Sequence, residues 1–174
     1  YLWARTIQCE GPGCGAEVPL IRSLWLAKKA NRSIALQLVQ KPKSKRVDFQ
    51  IIVKQSDGWV DQANPKIRIA NPRFDGTVKR GSATCPCCGY TTPVARVRQQ
   101  LKARHGGLED ARLFTVARLF PSTGGRQYRL ADELDAQIVS KAVKAAKSLK
   151  VLGDSGLSAV PNESTEGYHS FVNR

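Results

Sequence analysis

Five cysteines stand at positions 9, 14, 85, 87 and 88, in two groups separated by 70 residues. The groups read Cys9-x4-Cys14-Gly15 and Cys85-x2-Cys88-Gly89. Pairs at this spacing fit tight turns that aim two sulfurs at one ion, and four thiolates meet zinc's demand for tetrahedral coordination. A Gly after each second Cys allows a positive φ, which brings backbone N–H groups close to the sulfurs. In the second turn the first and fourth positions converge, so Cys9, Cys14, Cys85 and Cys88 are the expected ligands and Cys87 should point away. Disulfides fit poorly, because the count is odd and adjacent Cys87 and Cys88 rarely pair. A redox Cys-x-x-Cys would not need Cys9 and Cys14. Redox activity and inert thiols stay as alternatives. Common zinc ribbons separate their knuckles by about 15–20 residues. A longer excursion is tolerable if the intervening strands form a sheet of their own, which makes a split ribbon.

The charge is equally uneven. The chain has 174 residues with 28 Lys+Arg against 14 Asp+Glu, a net of +14. Residues 18–104 hold 18 basic and 4 acidic residues, which is the whole excess. A positive field confined to one region suits a polyanion, most often nucleic acid. Solvated lysine loops such as residues 41–46 are the bland alternative. Hydrophobic residues make up 41%, too many for a disordered tail. No apolar run approaches the roughly 18 residues of a membrane span, and no secretory leader opens the chain. The expected compartment is the cytoplasm, with no membrane partner. The chain contains no Met and opens on Tyr1, so it reads as an interior piece of a longer protein.

The local pattern predicts an α+β fold. Strands are expected at 18–25, 33–39 and 46–53, the last two forming a hairpin around 41–45. Residues 55–76 are rich in turn dipeptides and read as a long loop with one short strand at 66–70. Residues 77–84 read as a strand leading into the second cysteine group. Thr92-Pro93 opens a helix, with Thr92 as N-cap and Pro93 as first helical residue, ended by Gly106-Gly107. A hairpin follows at 112–120 and 125–130. A last helix runs over about 132–151, with acidic residues in its first turn and Leu134, Ile138, Ala142, Ala145 and Leu149 along one face. Residues 1–152 form the expected domain, with two helices packed on the strands. Residues 153–174 are an extended tail or linker.

Around the cysteines the order of residues is specific. Trp3-Ala4-Arg5-Thr6 leads to Cys9, then Cys14-Gly15-Ala16-Glu17-Val18-Pro19-Leu20, Arg22-Ser23, Trp25-Leu26 and Lys28-Lys29. Downstream stand Ala83-Thr84-Cys85-Pro86-Cys87-Cys88-Gly89-Tyr90, Pro93-Val94 and Val97-Arg98. This series resembles the zinc-ribbon segment of a prokaryotic family of zinc-ribbon-containing adenine-specific DNA methylases. The likeness is strongest over 1–30 and 83–105 and weakest over 55–76. It implies a parent that transfers a methyl group from S-adenosylmethionine to adenine N6. It also implies that the chemistry lies outside this segment. The family's Asp-Pro-Pro-Tyr-like motif is missing. Asn71-Pro72-Arg73-Phe74 comes nearest and reads as an ordinary loop. Gly106-Gly107 and Gly124-Gly125 read as a helix cap and a hairpin turn rather than a cofactor loop.

The expected function is a non-catalytic, zinc-binding, DNA-binding or target-recognition module. Phosphate contacts are expected from Lys28, Lys29, Arg32, Lys43, Lys45, Arg46, Arg96, Arg98, Lys102 and Arg104. Expected partners are DNA and the remainder of the parent chain. The rivals are a structural or protein-interaction zinc module, an RNA-binding zinc ribbon and an enzyme in its own right. Trp3, Trp25, Trp59 and Tyr90 either stack on bases or, the favoured reading, cover the small core beside the knuckles. His105 and His169 read as surface residues. Glu10 and Glu17 flank the first knuckle with no evident partner.

Overall fold

The computed structural model describes residues 1–29, 32–40, 45–104, 111–120 and 125–148. The expected tail at 153–174, both histidines, Gly106-Gly107, Gly124 and Lys43 lie outside them. Residues 1–131 form one compact unit and residues 132–174 a second. Among the described residues antiparallel strands dominate, with two helices, so the class is α+β. No helix among the described residues is long and apolar enough to cross a membrane.

The first unit is built on three sheets. The largest runs β3-β4-β5-β6-β7, from Trp25–Lys29, Arg32–Gln40, Val47–Gln55, Gly58–Asp61 and Arg68–Ile69. Its central hairpin pairs Ile34 with Val53, Leu36 with Ile51 and Leu38 with Phe49. With a period of two, these residues share one face. Ile34, Leu36, Phe49 and Ile51 are buried there with Ala4, Ile21, Leu24 and Tyr128 as the main core. The opposite face carries Ala35 and Ile52, both fully buried, in register with Trp25.

The second sheet runs β12-β11-β1-β2, from Gly125–Leu130, Ala111–Phe120, Leu2–Gln8 and Glu17–Pro19. Strand β1 is central, pairing with β11 on one side and β2 on the other, and it runs directly into Cys9. The third sheet is a small meander, β8 (Val78–Lys79), β9 (Ser82–Thr84) and β10 (Thr91–Thr92). It carries the second cysteine group between β9 and β10. Helix α1 (Val94–Ala103) follows at once.

The strand expected over 18–25 is in fact two strands in different sheets. Between β2 and β3 the backbone serves new partners. The Leu20 amide donates to Arg5 O, and the Leu24 amide to Phe74 O. The expected strand at 77–84 is a hairpin, because Arg80 and Gly81 both take positive φ (51° and 86°). Two such residues in succession reverse an antiparallel pair tightly. Strand β6 lies inside the stretch read as loop. Helix α1 starts one residue later than expected. Pro93, in an extended conformation, holds the N-cap position without a side-chain cap, and Thr92 belongs to β10. In the second unit, α2 (Glu133–Ser148) is capped reciprocally. The Asp135 amide donates to Asp132 Oδ1 at 2.9 Å, and the Asp132 amide to Asp135 Oδ2 at 3.0 Å.

Candidate metal centre

The two cysteine groups meet at the junction of β1, β9 and α1. Ile7, Ala16, Val18, Ala83 and Val97 form a small core there, and Cys9 and Cys85 are buried within it. The sulfurs of Cys9, Cys14, Cys85 and Cys88 all lie within 4.8 Å of one another. Cys9 Sγ stands 3.5 Å from Cys88 Sγ, and Cys14 Sγ 3.8 Å from Cys85 Sγ. All five cysteines are free. A tetrahedral zinc ion with Zn–S bonds of about 2.3 Å sets its sulfurs about 3.8 Å apart. The Cys9–Cys88 and Cys14–Cys85 spacings lie close to that edge, and far exceed the roughly 2.05 Å of a disulfide. Cys87 is outside the group and packs, half-buried, against the small core.

Each knuckle is prepared for negative charge on sulfur. The Gly11 amide donates to Cys9 Sγ at 3.3 Å. The Ala16 amide does the same for Cys14, and the Tyr90 amide for Cys88. In all three the donor lies two residues beyond the cysteine. Gly15 and Gly89 take positive φ (58° and 76°), the conformation their place after a ligand suggested. The Tyr90 amide leads the effects that lower the Cys88 thiol below its ordinary value. Burial pushes Cys9 well above its own. Cys14 is also raised, the pull of the Ala16 amide being outweighed by burial and by neighbouring thiols. Without a cation, four thiols crowded this closely cannot share charge comfortably. A divalent cation relieves the conflict by taking all four as thiolates. The donor set therefore fits a metal ion, and four sulfurs leave no open coordination position.

Outer contacts fix the knuckles. Gln40 Nε2 donates to the Pro86 carbonyl, tying β4 to the second turn. Gly11 lies so close to the second group that a Cβ would stand 2.9 Å from Tyr90 Cβ and 3.0 Å from Cys88 Sγ. Glu10 has a partner after all. Arg96 grips its carboxylate from Nε (3.0 and 3.1 Å) and Nη2 (2.7 Å). That guanidinium holds the carboxyl below its usual range. Gln100 accepts from the Gln8 amide at 2.8 Å and donates to the Gln8 carbonyl at 3.0 Å. Helix α1 is thus bolted to the end of β1, immediately before Cys9. Glu17 is partnered too, with Oε1 3.7 Å from both Arg46 and Arg112. None of these long-range pairs has a spacing that a sequence could reveal.

The expected phosphate-contacting residues divide. Arg96 is spent on Glu10, Arg46 lies against Glu17, and Arg104 Nη1 donates to Thr6 O at 2.9 Å. Lys28 places its ammonium 5.2 Å from the Trp25 ring centroid. Lys29, Lys45, Arg98 and Lys102 are exposed and make no ion pair among the described residues. Arg32 lies on β4. Of the aromatics, Tyr90 stands beside the knuckle, whereas Trp25 and Trp59 pack with Phe74 on the far face of the five-stranded sheet. Asn71-Pro72-Arg73-Phe74 is the loop that carries this Phe, and the Arg73 amide donates to Gln37 Oε1 at 3.2 Å. The chain matches no protein-family model, no curated protein and no solved structure, so the four-sulfur cluster itself is what identifies the site.

Proposed function

We propose that Cys9, Cys14, Cys85 and Cys88 hold one structural zinc ion in a non-catalytic module that contacts DNA. The observation that carries this reading is the set of four sulfurs within 4.8 Å of one another, three of them receiving backbone amides. Zinc bound there supplies a redox-silent cross-link rather than a Lewis acid, because its coordination is complete. The resemblance to zinc-ribbon adenine-specific DNA methylases supports placing the module in such a parent. S-adenosylmethionine and the methyl-transfer chemistry then belong to the parent's other domains.

Elemental analysis should find one zinc per chain. Cys9→Ser, Cys14→Ser, Cys85→Ser and Cys88→Ser should each lose the metal and lower the unfolding midpoint, while Cys87→Ser should keep both. Metal-free protein of undiminished stability would sink the reading.

The DNA contact rests on the charge excess of residues 18–104 and on Lys29, Lys45, Arg98 and Lys102, which are exposed and make no ion pair among the described residues. Duplex affinity should fall linearly on a log–log salt plot. Arg98→Gln and Lys102→Gln should each reduce the slope by about one. No binding at low salt would instead favour the structural module, for which the internal use of Arg46, Arg96 and Arg104 already speaks. Preference for duplex RNA over duplex DNA would point to an RNA-binding ribbon.

A further inference from the structure

The five-stranded sheet has a second face that the metal centre does not use. Trp25 on β3, Trp59 on β6 and Phe74 on the loop after β7 meet there. Trp25 and Phe74 stack at 4.2 Å with their planes 14° apart. Trp59 meets Trp25 edge-on (5.6 Å, 62°) and Phe74 at a tilt (5.0 Å, 52°). All three rings are only partly buried. Trp25 already has a stacked ring and a lysine ammonium as neighbours. Trp59 is the ring of the three that has no parallel partner in the cluster.

Cations surround the cluster. Lys54 lies directly across from Trp59 in the β5–β6 register, and Ile69 flanks it on β7. Arg73 adjoins Phe74 in the chain, and Lys28, Lys54 and Arg73 are all exposed. Of three nearby carboxylates, exposed Asp75 adjoins Phe74 on its other side and the remaining two are engaged. Asp57 pairs with Arg68, and Asp61 Oδ1 accepts from the Ala63 amide at 3.0 Å. The patch is therefore aromatic at its centre and positive at its rim. A partner complementary to both features offers flat π-faces joined by regularly spaced negative charges. Single-stranded nucleic acid has that chemistry. A duplex does not, because its base faces are hidden in the stack.

We infer that Trp59 is a stacking platform for an unpaired base of single-stranded nucleic acid, with Lys28, Lys54 and Arg73 taking the flanking phosphates. This deepens the nucleic-acid reading above and assigns it a second surface.

The test uses the full zinc-loaded chain and labelled oligothymidylate and oligouridylate of about 12 nucleotides, followed by fluorescence anisotropy. Trp59→Leu should weaken single-strand binding by about 5- to 100-fold, the loss of one base–aromatic stack. Trp59→Phe should stay close to wild type. Lys54→Gln, at the exposed rim, should lower the salt slope by about one. Equal affinity of wild type and a folded, zinc-loaded Trp59→Leu for both oligonucleotides overturns the inference. So does a salt slope unmoved by Lys54→Gln. Self-association that Trp59→Leu abolishes, with no oligonucleotide binding, would assign the face to a second copy of the chain and overturn it too. Duplex affinity is the separating measurement. It should be unchanged in Trp59→Leu and reduced in Arg98→Gln, so either reading can fail alone. Preference between the two oligonucleotides tells whether DNA or RNA is the source of the strand.

Discussion

A methyl group on Gly76 would have nowhere to go. Its Cβ would stand 1.9 Å from the Ile21 carbonyl oxygen, with the Ile21 and Arg22 carbonyl carbons at 2.6 Å. These are backbone atoms and cannot swing aside, so the chain segments must separate. Gly76→Ala is therefore expected to cost about 3 kcal/mol or more in urea unfolding. Gly13 provides the contrast. It has φ of 70° but open space around its Cβ, so Gly13→Ala should cost only about 1 kcal/mol, the price of the left-handed conformation. The roles of Gly15 and Gly89 were legible, because a glycine after a knuckle cysteine has a specific backbone task. Gly76 was not. Asp75-Gly76 looks like any turn dipeptide, and the close approach comes from residues 55 positions away.

Among the elements, α1 has few stabilising signals at its own start. Its start has no side-chain cap and no acidic first turn, and Val97 is its only fully buried residue. What holds it is a set of side-chain contacts to the neighbourhood of Cys9. Gln100 satisfies both the amide and the carbonyl of Gln8, as a neighbouring strand would. Gln100→Ala should thus destabilise the unit by about 1–2 kcal/mol, measured by urea unfolding, and speed the loss of any metal ion bound at the four sulfurs. The length and place of α1 were legible from Thr92-Pro93 and the apolar spacing of Val94, Val97 and Leu101. Its partner was not, because Gln8 and Gln100 are ordinary polar residues until tertiary structure brings them together. Short strands were hidden for a similar reason. Pieces of two residues, such as β7, β8 and β10, have no periodicity and exist because a neighbour offers its edge.

At the scale of the molecule, the convergence of two cysteine groups and the α+β class could be read in advance. Chemistry-bearing residues at ligand spacing and alternating strands are local signals. The division into three sheets could not, since β1 finds its partner β11 more than 100 residues later. Counting cations likewise measured the field without showing which of them the fold consumes. A metal ion held by all four sulfurs would have a calculable effect. Closing a loop of about 70 residues removes chain entropy worth about 4 kcal/mol from the unfolded state, by analogy with a disulfide. Chelation should lower the urea midpoint accordingly, and limited proteolysis should then cut first between the knuckles.

The same separation acquires a different meaning while the chain is being made. At roughly 5–20 residues per second, some 4–14 seconds pass between the emergence of Cys14 and that of Cys85. During that interval the site has only two of its four sulfurs, and β1 waits longer still for β11. The nascent chain spends seconds as a half-site, open to borrowed ligands and to mispairing along the free edge of β1. Metal supply and synthesis rate, rather than final stability alone, would then govern how much of the protein reaches its folded form.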